Sequence, residues 1–238
     1  MENQNQAFAQ NRYLTPEDLQ REQAAFMTQV YGWMAVALLL TAVVSIYTAS
    51  SETILTAIFS NRLVFYGLLI GELGMVIGLS AAINRLSAAT ATALFLTYAA
   101  VNGLTMAVIF LMYTRSSIAS TFFITAGTFG AMSAYGYVTK TDLSSWGNLL
   151  FMGLIGLIIA SVVNIFLHSE TIYWITSFLG VLIFTGLTAY DTQRIKAMST
   201  IGMGAQDERK GAIMGALRLY LDFVNMFLYL LRFFGSRR

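Results

Sequence analysis

The sequence has no cysteine, a single proline and few charged residues. The absence of cysteine excludes disulfide bonds and thiolate metal sites. Only 11% of the 238 residues are charged, whereas soluble domains carry roughly 25%. The net charge of +2 is scattered and forms no basic cluster, which argues against nucleic acid as a partner. These deficits leave no room for a soluble domain of ordinary composition.

Hydrophobic residues make up 57% of the chain, and its mean hydropathy is +0.66. Seven apolar runs are each long enough to cross a bilayer core of about 30 Å as a helix. We therefore predict an all-α polytopic membrane protein with seven transmembrane helices, surrounded by the lipid bilayer. The predicted spans are 26–49, 63–83, 88–112, 118–138, 146–167, 172–195 and 211–232.

The N-terminal region differs from the rest of the chain. Residues 1–22 are predicted to form a polar cytoplasmic tail, and residues 23–238 the seven-helix transmembrane domain. Thr15, Pro16 and the acids that follow are typical of a helix start, with Thr15 as the N-cap. A cleavable signal peptide is not expected, because the first apolar run is too long for one.

The distribution of lysine and arginine predicts the orientation. If the N-terminus is cytoplasmic, the outer loops contain only Arg62 and Arg115. Most of the other lysines and arginines of the loops then lie on the cytoplasmic side, where such an excess is usual. Seven spans then place Arg232, Arg237 and Arg238 outside, against the same rule. Either this end is translocated despite its charge or the last segment is only partly inserted, and its apolar length favours seven full spans.

The last apolar run carries its polar residues along one helical stripe. Steps of four and three residues connect Gly211, Gly215, Arg218, Asp222, Asn225, Tyr229 and Arg232, and only Tyr220 lies off the stripe. A charged group at the centre of a membrane costs at least about 2.5–3.5 kcal/mol on insertion scales. The stripe must therefore face protein or water and needs partners elsewhere in the chain.

The second span has a stripe of small residues with the same spacing. It comprises Gly67, Gly71, Gly74, Gly78 and Ala81, and it ends at Arg85. Small residues allow helix backbones to approach closely in a membrane, so we expect this stripe to pack against a neighbouring helix. Shorter stripes, containing Gly127 and Gly130 in the fourth span and Gly153 and Gly156 in the fifth, are interpreted in the same way.

Asp191 and Asp222 are predicted to lie at the same depth, because they are equidistant from the loop that joins the sixth and seventh spans. Two close carboxylates tend to share a proton, and Arg85 lies at the same membrane side. Such a group can act as a latch between helices that responds to pH. Carboxylates also suit Ca²⁺, with Asn225 as a polar neighbour. Alternatively, Arg218 and Asp222, four residues apart, simply neutralise one another.

Two other titratable residues are weaker candidates. Glu72 lies beside the glycine stripe, and an acid inside a span is a functional candidate by default. His168 lies at the outer end of the fifth span, where an interfacial position accounts for it and pH sensing is the alternative.

Several motifs resemble those of a known family. Residues 186–196 (GLTAYDTQRIK), 219–225 (LYLDFVN) and 231–235 (LRFFG) are similar to motifs of the transmembrane Bax inhibitor motif family, in particular its bacterial inner-membrane members. The similarity covers about 23–235. It implies seven helices with the last one enclosed by the other six, a multi-pass position in the inner membrane, and a pH-sensitive calcium leak.

The resemblance also implies roles for individual residues. By position, the proton-sensing pair falls on Asp191 and Asp222 and the latching arginine on Arg85. Glu72 resembles the acid of the family's second span, although its spacing to Arg85 is shifted, and Arg218 competes with Arg85 for the pair. No cofactor is expected, Ca²⁺ being the permeant ion.

Two other functions compete with the leak. An interaction protein would use its polar tail and loops to engage a membrane protease or another membrane protein, as the resemblance to some bacterial relatives implies. An intramembrane aspartyl protease also needs paired aspartates. However, the residues before Asp222 are Tyr220 and Leu221 rather than Gly-x-Gly, and the only proline, Pro16, precludes a Pro-Ala-Leu segment. We therefore expect no enzymatic activity, and the sequence does not fix an oligomeric state.

Overall fold

A computed structural model describes residues 15–199 and 205–238, and these residues form eight α-helices without a strand. In chain order the helices are α1 Pro16–Ser50, α2 Glu52–Phe59, α3 Arg62–Ala82, α4 Ala88–Met112, α5 Arg115–Val138, α6 Ser144–Leu167, α7 Glu170–Met198 and α8 Ala205–Phe234. A 3₁₀ turn, Ile83–Arg85, extends α3. The tail residues 1–14 and the loop residues 200–204, with Gly202 and Gly204, lie outside the described residues.

The long first helix begins where the sequence predicts. The Thr15 hydroxyl accepts a hydrogen bond from the Asp18 amide at 3.2 Å, and the Asp18 carboxylate accepts one from the Thr15 amide at 3.1 Å. This reciprocal capping satisfies amide groups that have no partner within the helix. The connection predicted at 50–62 contains the short helix α2, whose N-cap is Ser51.

The last helix, α8, lies at the centre of the bundle. It packs against α1, α4, α5 and α7, and 67% of the residues in its apolar 18-residue stretch are buried. In the corresponding stretches, only 11% of the residues of α3 and 6% of those of α6 are buried. The main neighbour of α3 is α4, and that of α6 is α7. This is the arrangement that the resemblance implies, and it explains how a helix with charged residues is shielded from lipid.

Six helices of the described chain are long and apolar enough to cross a membrane: α1, α3, α4, α6, α7 and α8. The predicted count of seven is therefore not confirmed. The predicted span 118–138 does form the 24-residue helix α5. It is not among the six because many hydroxyl side chains interrupt its apolar sequence, among them Ser116, Ser117, Ser120, Thr121, Thr125, Thr128 and Ser133.

The predicted packing of the glycine stripe on α3 is wrong for the described chain. A Cβ atom added to Gly67, Gly71, Gly74 or Gly78 would meet nothing within 4 Å. The reason is that α3 buries a different side, which carries Glu72 and Leu79. Gly127, Gly130 and Gly156 are equally uncovered, whereas Gly153 does contact the Ile183 side chain.

Close helix approach occurs instead at glycines of α4, α5 and α6. A Cβ at Gly103 would lie 2.8 Å from the carbonyl oxygen of Thr41 in α1. One at Gly136 would overlap the carbonyl oxygen of Ala189 in α7, and one at Gly147 would overlap the Tyr190 ring. At these positions α1 packs closely against α4, and α7 packs closely against α5 and α6.

The final residues return to the α4–α5 connection. The Thr114 amide donates to the Ser236 carbonyl at 3.2 Å, and the Arg238 amide donates to the Met112 carbonyl at 3.0 Å. Because α8 is one uninterrupted 30-residue helix, it is about 45 Å long and reaches the end of the bundle opposite to Arg194.

Candidate functional site

A cavity of about 770 Å³ lies among α3, α4, α6, α7 and α8. Much of its wall is apolar, as expected inside a membrane bundle, but polar side chains converge on it from all five helices. They are Glu72 of α3, Tyr98 of α4, Asn148 of α6, Tyr190, Asp191 and Arg194 of α7, and Arg218, Asp222, Asn225 and Tyr229 of α8. The α8 residues in this set belong to the stripe seen in the sequence, so this part of the stripe faces a cavity.

Asp191 and Asp222 lie together in this cavity. The two residues are 9% and 4% exposed, and their carboxyl groups are within hydrogen-bonding reach of one another. Within the described residues, the Oδ2 atom of Asp222 has no hydrogen-bond partner. The antiparallel α7–α8 pair therefore brings the two acids to one level, as the hairpin geometry predicts. An unpartnered buried oxygen is costly unless it holds a proton, water or a cation.

The positive charge beside the pair comes from Arg218. Its Nη1 atom lies 3.5 Å from Oδ1 of Asp191, and the Arg194 guanidinium one turn along α7 adds a second positive charge near Asp191. The i, i+3 spacing of Asp191 and Arg194 would have identified Arg194 from the sequence. The alternative in which Arg218 simply neutralises Asp222 on the same helix also changes, because the carboxylate closest to Arg218 is that of Asp191 on α7.

Arg85 is not brought to the aspartate pair. It is exposed in the turn after α3, does not line the cavity, and forms no ion pair with any described residue. The physical reason is that Arg85 continues the uncovered glycine stripe of α3, which faces away from α7 and α8. In this conformation Arg218 occupies the place predicted for Arg85.

Comparison with known proteins identifies the family. A sequence profile described as "Inhibitor of apoptosis-promoting Bax1" matches residues 23–238. The chain belongs to this Bax inhibitor family. The inner membrane protein YbhL of Escherichia coli K12 is 55% identical over 216 residues, which cover 90% of this chain and 92% of YbhL. An uncharacterized protein of Borreliella burgdorferi is 49% identical over 90% of this chain and 92% of its own length. Uncharacterized protein RP147 of Rickettsia prowazekii is 46% identical, covering 90% of both chains.

In this member of the Bax inhibitor family, Glu72 is part of a buried hydrogen-bond network. Its carboxylate accepts hydrogen bonds from Thr105 Oγ1 at 2.8 Å and from Asn102 Nδ2 at 3.2 Å, both on α4. Asn102 Oδ1 accepts a hydrogen bond from Tyr220 of α8 at 3.0 Å, and the Tyr220 hydroxyl lies 2.7 Å from Thr41 Oγ1 of α1. The network connects the cavity wall to three other helices.

Sequence reasoning missed this network, although one signal was present. Tyr220 is the only strongly polar residue of the apolar run 211–232 that lies off the stripe, and a buried phenol needs a hydrogen-bond partner. That requirement predicts a second polar contact on another side of α8, and Asn102 and Thr41 supply it.

The aspartate pair alone provides too few ligands for a stable metal site. Among the described residues, no three side chains of His, Cys, Asp or Glu converge closely enough to hold a metal ion. Two carboxylates offer at most four oxygens, whereas Ca²⁺ takes six to eight ligands in stable sites. The predicted Ca²⁺ coordination by Asp191 and Asp222 therefore stays a prediction, and it concerns an ion in transit.

Two further predicted residues have clear positions. Asn225 lines the cavity one turn beyond Asp222, and its Nδ2 atom donates to the Leu221 carbonyl at 2.8 Å. His168 is exposed and ends α6 with φ of 50°, far from the aspartate pair at the other end of α7. The structure thus separates His168 from the site.

Proposed function

We propose that this protein is a multi-pass protein of the bacterial inner membrane that conducts Ca²⁺ as a leak controlled by pH, with its N-terminus in the cytoplasm. The observation that carries the proposal is the buried Asp191–Asp222 pair, which lines a cavity of about 770 Å³. The inner-membrane position is supported by the name of the E. coli relative and by the six candidate spans.

We count α5 as a seventh span in this proposal. The helix packs against α7 and α8 inside the bundle, so its hydroxyl groups need not face lipid. Several of them also bond to their own helix, as in the 2.8 Å bond from Thr125 Oγ1 to the Thr121 carbonyl. Seven spans place the two termini on opposite sides of the membrane.

The aspartate pair supplies both cation attraction and pH dependence. Ionised carboxylates in a cavity with apolar walls attract cations strongly, because the low-dielectric surroundings screen the charge poorly. When the two groups share a proton, half of that negative charge is lost. Protonation of Asp191 also removes the charge that holds Arg218, which weakens one contact between α7 and α8. A change in pH therefore alters the field of the cavity and the helix packing together.

Calcium flux into proteoliposomes tests this proposal. We expect the wild-type rate to differ between about pH 6 and about pH 8, and D191N or D222N to remove most of that difference, because each eliminates a titrating partner. The matched control is E52Q, which neutralises an exposed acid in the first turn of α2, outside the cavity. Flux equal to that of empty vesicles at every pH would overturn the proposal, as would an equal effect of E52Q.

A membrane interaction protein is the second candidate, favoured by the uncovered glycine face of α3. Small-residue stripes associate with other helices in membranes, and this one meets no residue of the described chain. A photo-crosslinking residue at Gly74 should then capture a membrane protein such as a protease, whereas one at lipid-facing Ile159 of α6 should not. Capture of lipid alone at both positions would exclude this function.

The third candidate, an intramembrane aspartyl protease, shares the paired aspartates but not the sequence around them. Protease aspartates share one proton and activate water between them. In this chain the residues before Asp222 are Tyr220 and Leu221 instead of Gly-x-Gly, and the only proline is Pro16. We therefore propose that the protein is not an enzyme of this type.

A further inference from the structure

A second polar cavity, of about 500 Å³, lies at the end of the bundle opposite to Arg194. It is formed where α6 ends, α7 begins and α8 ends, and its wall includes His168, Glu170, Tyr173, Arg232 and Arg237. None of these residues takes part in the proposed leak. The cavity is therefore a candidate site in its own right.

Two arginines are stacked on one tyrosine ring at this cavity. The guanidinium carbons of Arg232 and Arg237 lie 5.8 Å and 5.7 Å from the centroid of the Tyr173 ring. Arg232 also lies 5.2 Å from the centroid of the Tyr229 ring, and Arg237 donates a hydrogen bond to the Tyr173 hydroxyl at 3.1 Å. The aromatic contacts fix the position of both cations without cancelling their charge.

Within the described chain, neither arginine has a carboxylate partner. Glu170 lines the same cavity but forms no ion pair with either of them. Two like charges beside one ring repel each other, and although water screens this repulsion between exposed side chains, an anion bound between or beside them would reduce it further. The side chain of Arg232 makes no hydrogen bond to any described residue, which leaves its N–H groups available to a ligand.

The backbone after α8 holds Arg237 in place. The Ser236 amide donates to Ser117 Oγ at 2.9 Å, and the backbone bonds of Thr114 and Arg238 complete this attachment to the α4–α5 connection. The hydrogen bonds that Arg237 donates to the phenol oxygens of Tyr173 and Tyr113 raise the pKa of Arg237, so the side chain stays charged. The site is thus built from fixed cations on an ordered segment.

We propose that Arg232 and Arg237 form a binding site for a phosphate group, carried either by an anionic lipid headgroup or by a soluble phosphate. Guanidinium groups match phosphate oxygens with two parallel hydrogen bonds, and stacked arginines present these donors in a fixed direction. Arg232 lies in the last turn of α8 and Arg237 just after the helix, at the end of the apolar run where lipid headgroups are expected. A bound anion would also offset the positive charge that the orientation rule disfavours at this end.

Binding measurements on the purified full-length protein in a neutral detergent test this site. The probes are short-chain phosphatidylglycerol, inorganic phosphate and a diacylglycerol of the same chain length, which lacks phosphate. Whichever of the two phosphate-containing probes binds, we expect R232Q/R237Q to weaken its binding by at least about tenfold, because two charge-assisted contacts are lost. R232Q alone, which leaves the backbone attachment intact, should weaken it as well.

The control variant is R115Q, which removes an exposed arginine at the same end of the bundle, in the first turn of α5. Binding of phosphatidylglycerol alone would identify a lipid site, and binding of both phosphate probes would identify a site for soluble phosphates. The proposal fails if neither probe binds better than diacylglycerol, or if R115Q weakens binding as much as R232Q/R237Q.

Discussion

Replacement of Gly136 by alanine is expected to destabilise the protein by about 2–4 kcal/mol. The added methyl group would overlap the carbonyl oxygen of Ala189, a backbone atom of α7 that cannot rotate away. Relief therefore requires α5 and α7 to separate. Since Ala189 precedes Asp191 by two residues, the separation should also displace the aspartate pair. Thermal or detergent-induced unfolding of the purified protein measures the loss of stability.

The matched control is G130A on the same helix. A Cβ at Gly130 meets no atom within 4 Å, so alanine adds helix propensity without a clash. We expect the stability of G130A to be unchanged or increased by up to about 1 kcal/mol. Equal destabilisation by both variants would show that α5 tolerates no added volume anywhere, against the packing described.

Replacement of Arg218 by glutamine is expected to destabilise the protein by about 2 kcal/mol, because it leaves the buried charge of Asp191 with less compensation. The side chains of Arg218 and Asp191 are 36% and 13% exposed. Water thus screens part of the interaction, so the loss is smaller than the 3–5 kcal/mol that is typical of a fully buried pair. Unfolding of R218Q, D191N and the double variant gives the coupling energy of the pair.

A double-mutant cycle of R85Q with D191N shows whether Arg85 or Arg218 interacts with the aspartate pair. R85Q removes an exposed side chain without an ion pair among the described residues, so its effect should stay within about 0.5 kcal/mol. Its coupling to D191N should be close to zero because the two residues do not touch. A coupling energy larger than that of Arg218 would mean that the protein in solution prefers a conformation in which Arg85 reaches the pair.

Much of the fold could be predicted because each helix leaves a direct signal in the sequence. Apolar runs of membrane length indicated the long helices, and the Thr15 cap marked the start of α1. The polar stripe of α8 predicted a helix that must be enclosed by protein, and the hairpin geometry placed Asp222 level with Asp191. These inferences depend on spacing within one helix or across one connection, where the chain itself fixes the distances.

The remaining features depend on how each helix is rotated within the bundle. The α3 stripe was expected to face a neighbour, yet α3 turns Glu72 toward α4 because the carboxylate finds Asn102 and Thr105 there. That rotation also carries Arg85 away from the pair and leaves the place to Arg218. The span predicted at 118–138 does form the helix α5, but its many hydroxyl side chains keep it out of the six described helices that are apolar enough to cross a membrane.

The central position of α8 has a consequence for biogenesis. This helix is synthesised after the seven that precede it, and yet α1, α4, α5 and α7 complete their packing only against it. Until α8 is synthesised, the earlier helices therefore remain incompletely packed. During this time Asp191 lacks its contact with Arg218, and Asn102 lacks its contact with Tyr220. Assembly of the bundle is then a step that follows translation of α8, and a nascent chain interrupted before this point would present unpaired polar groups to membrane quality control.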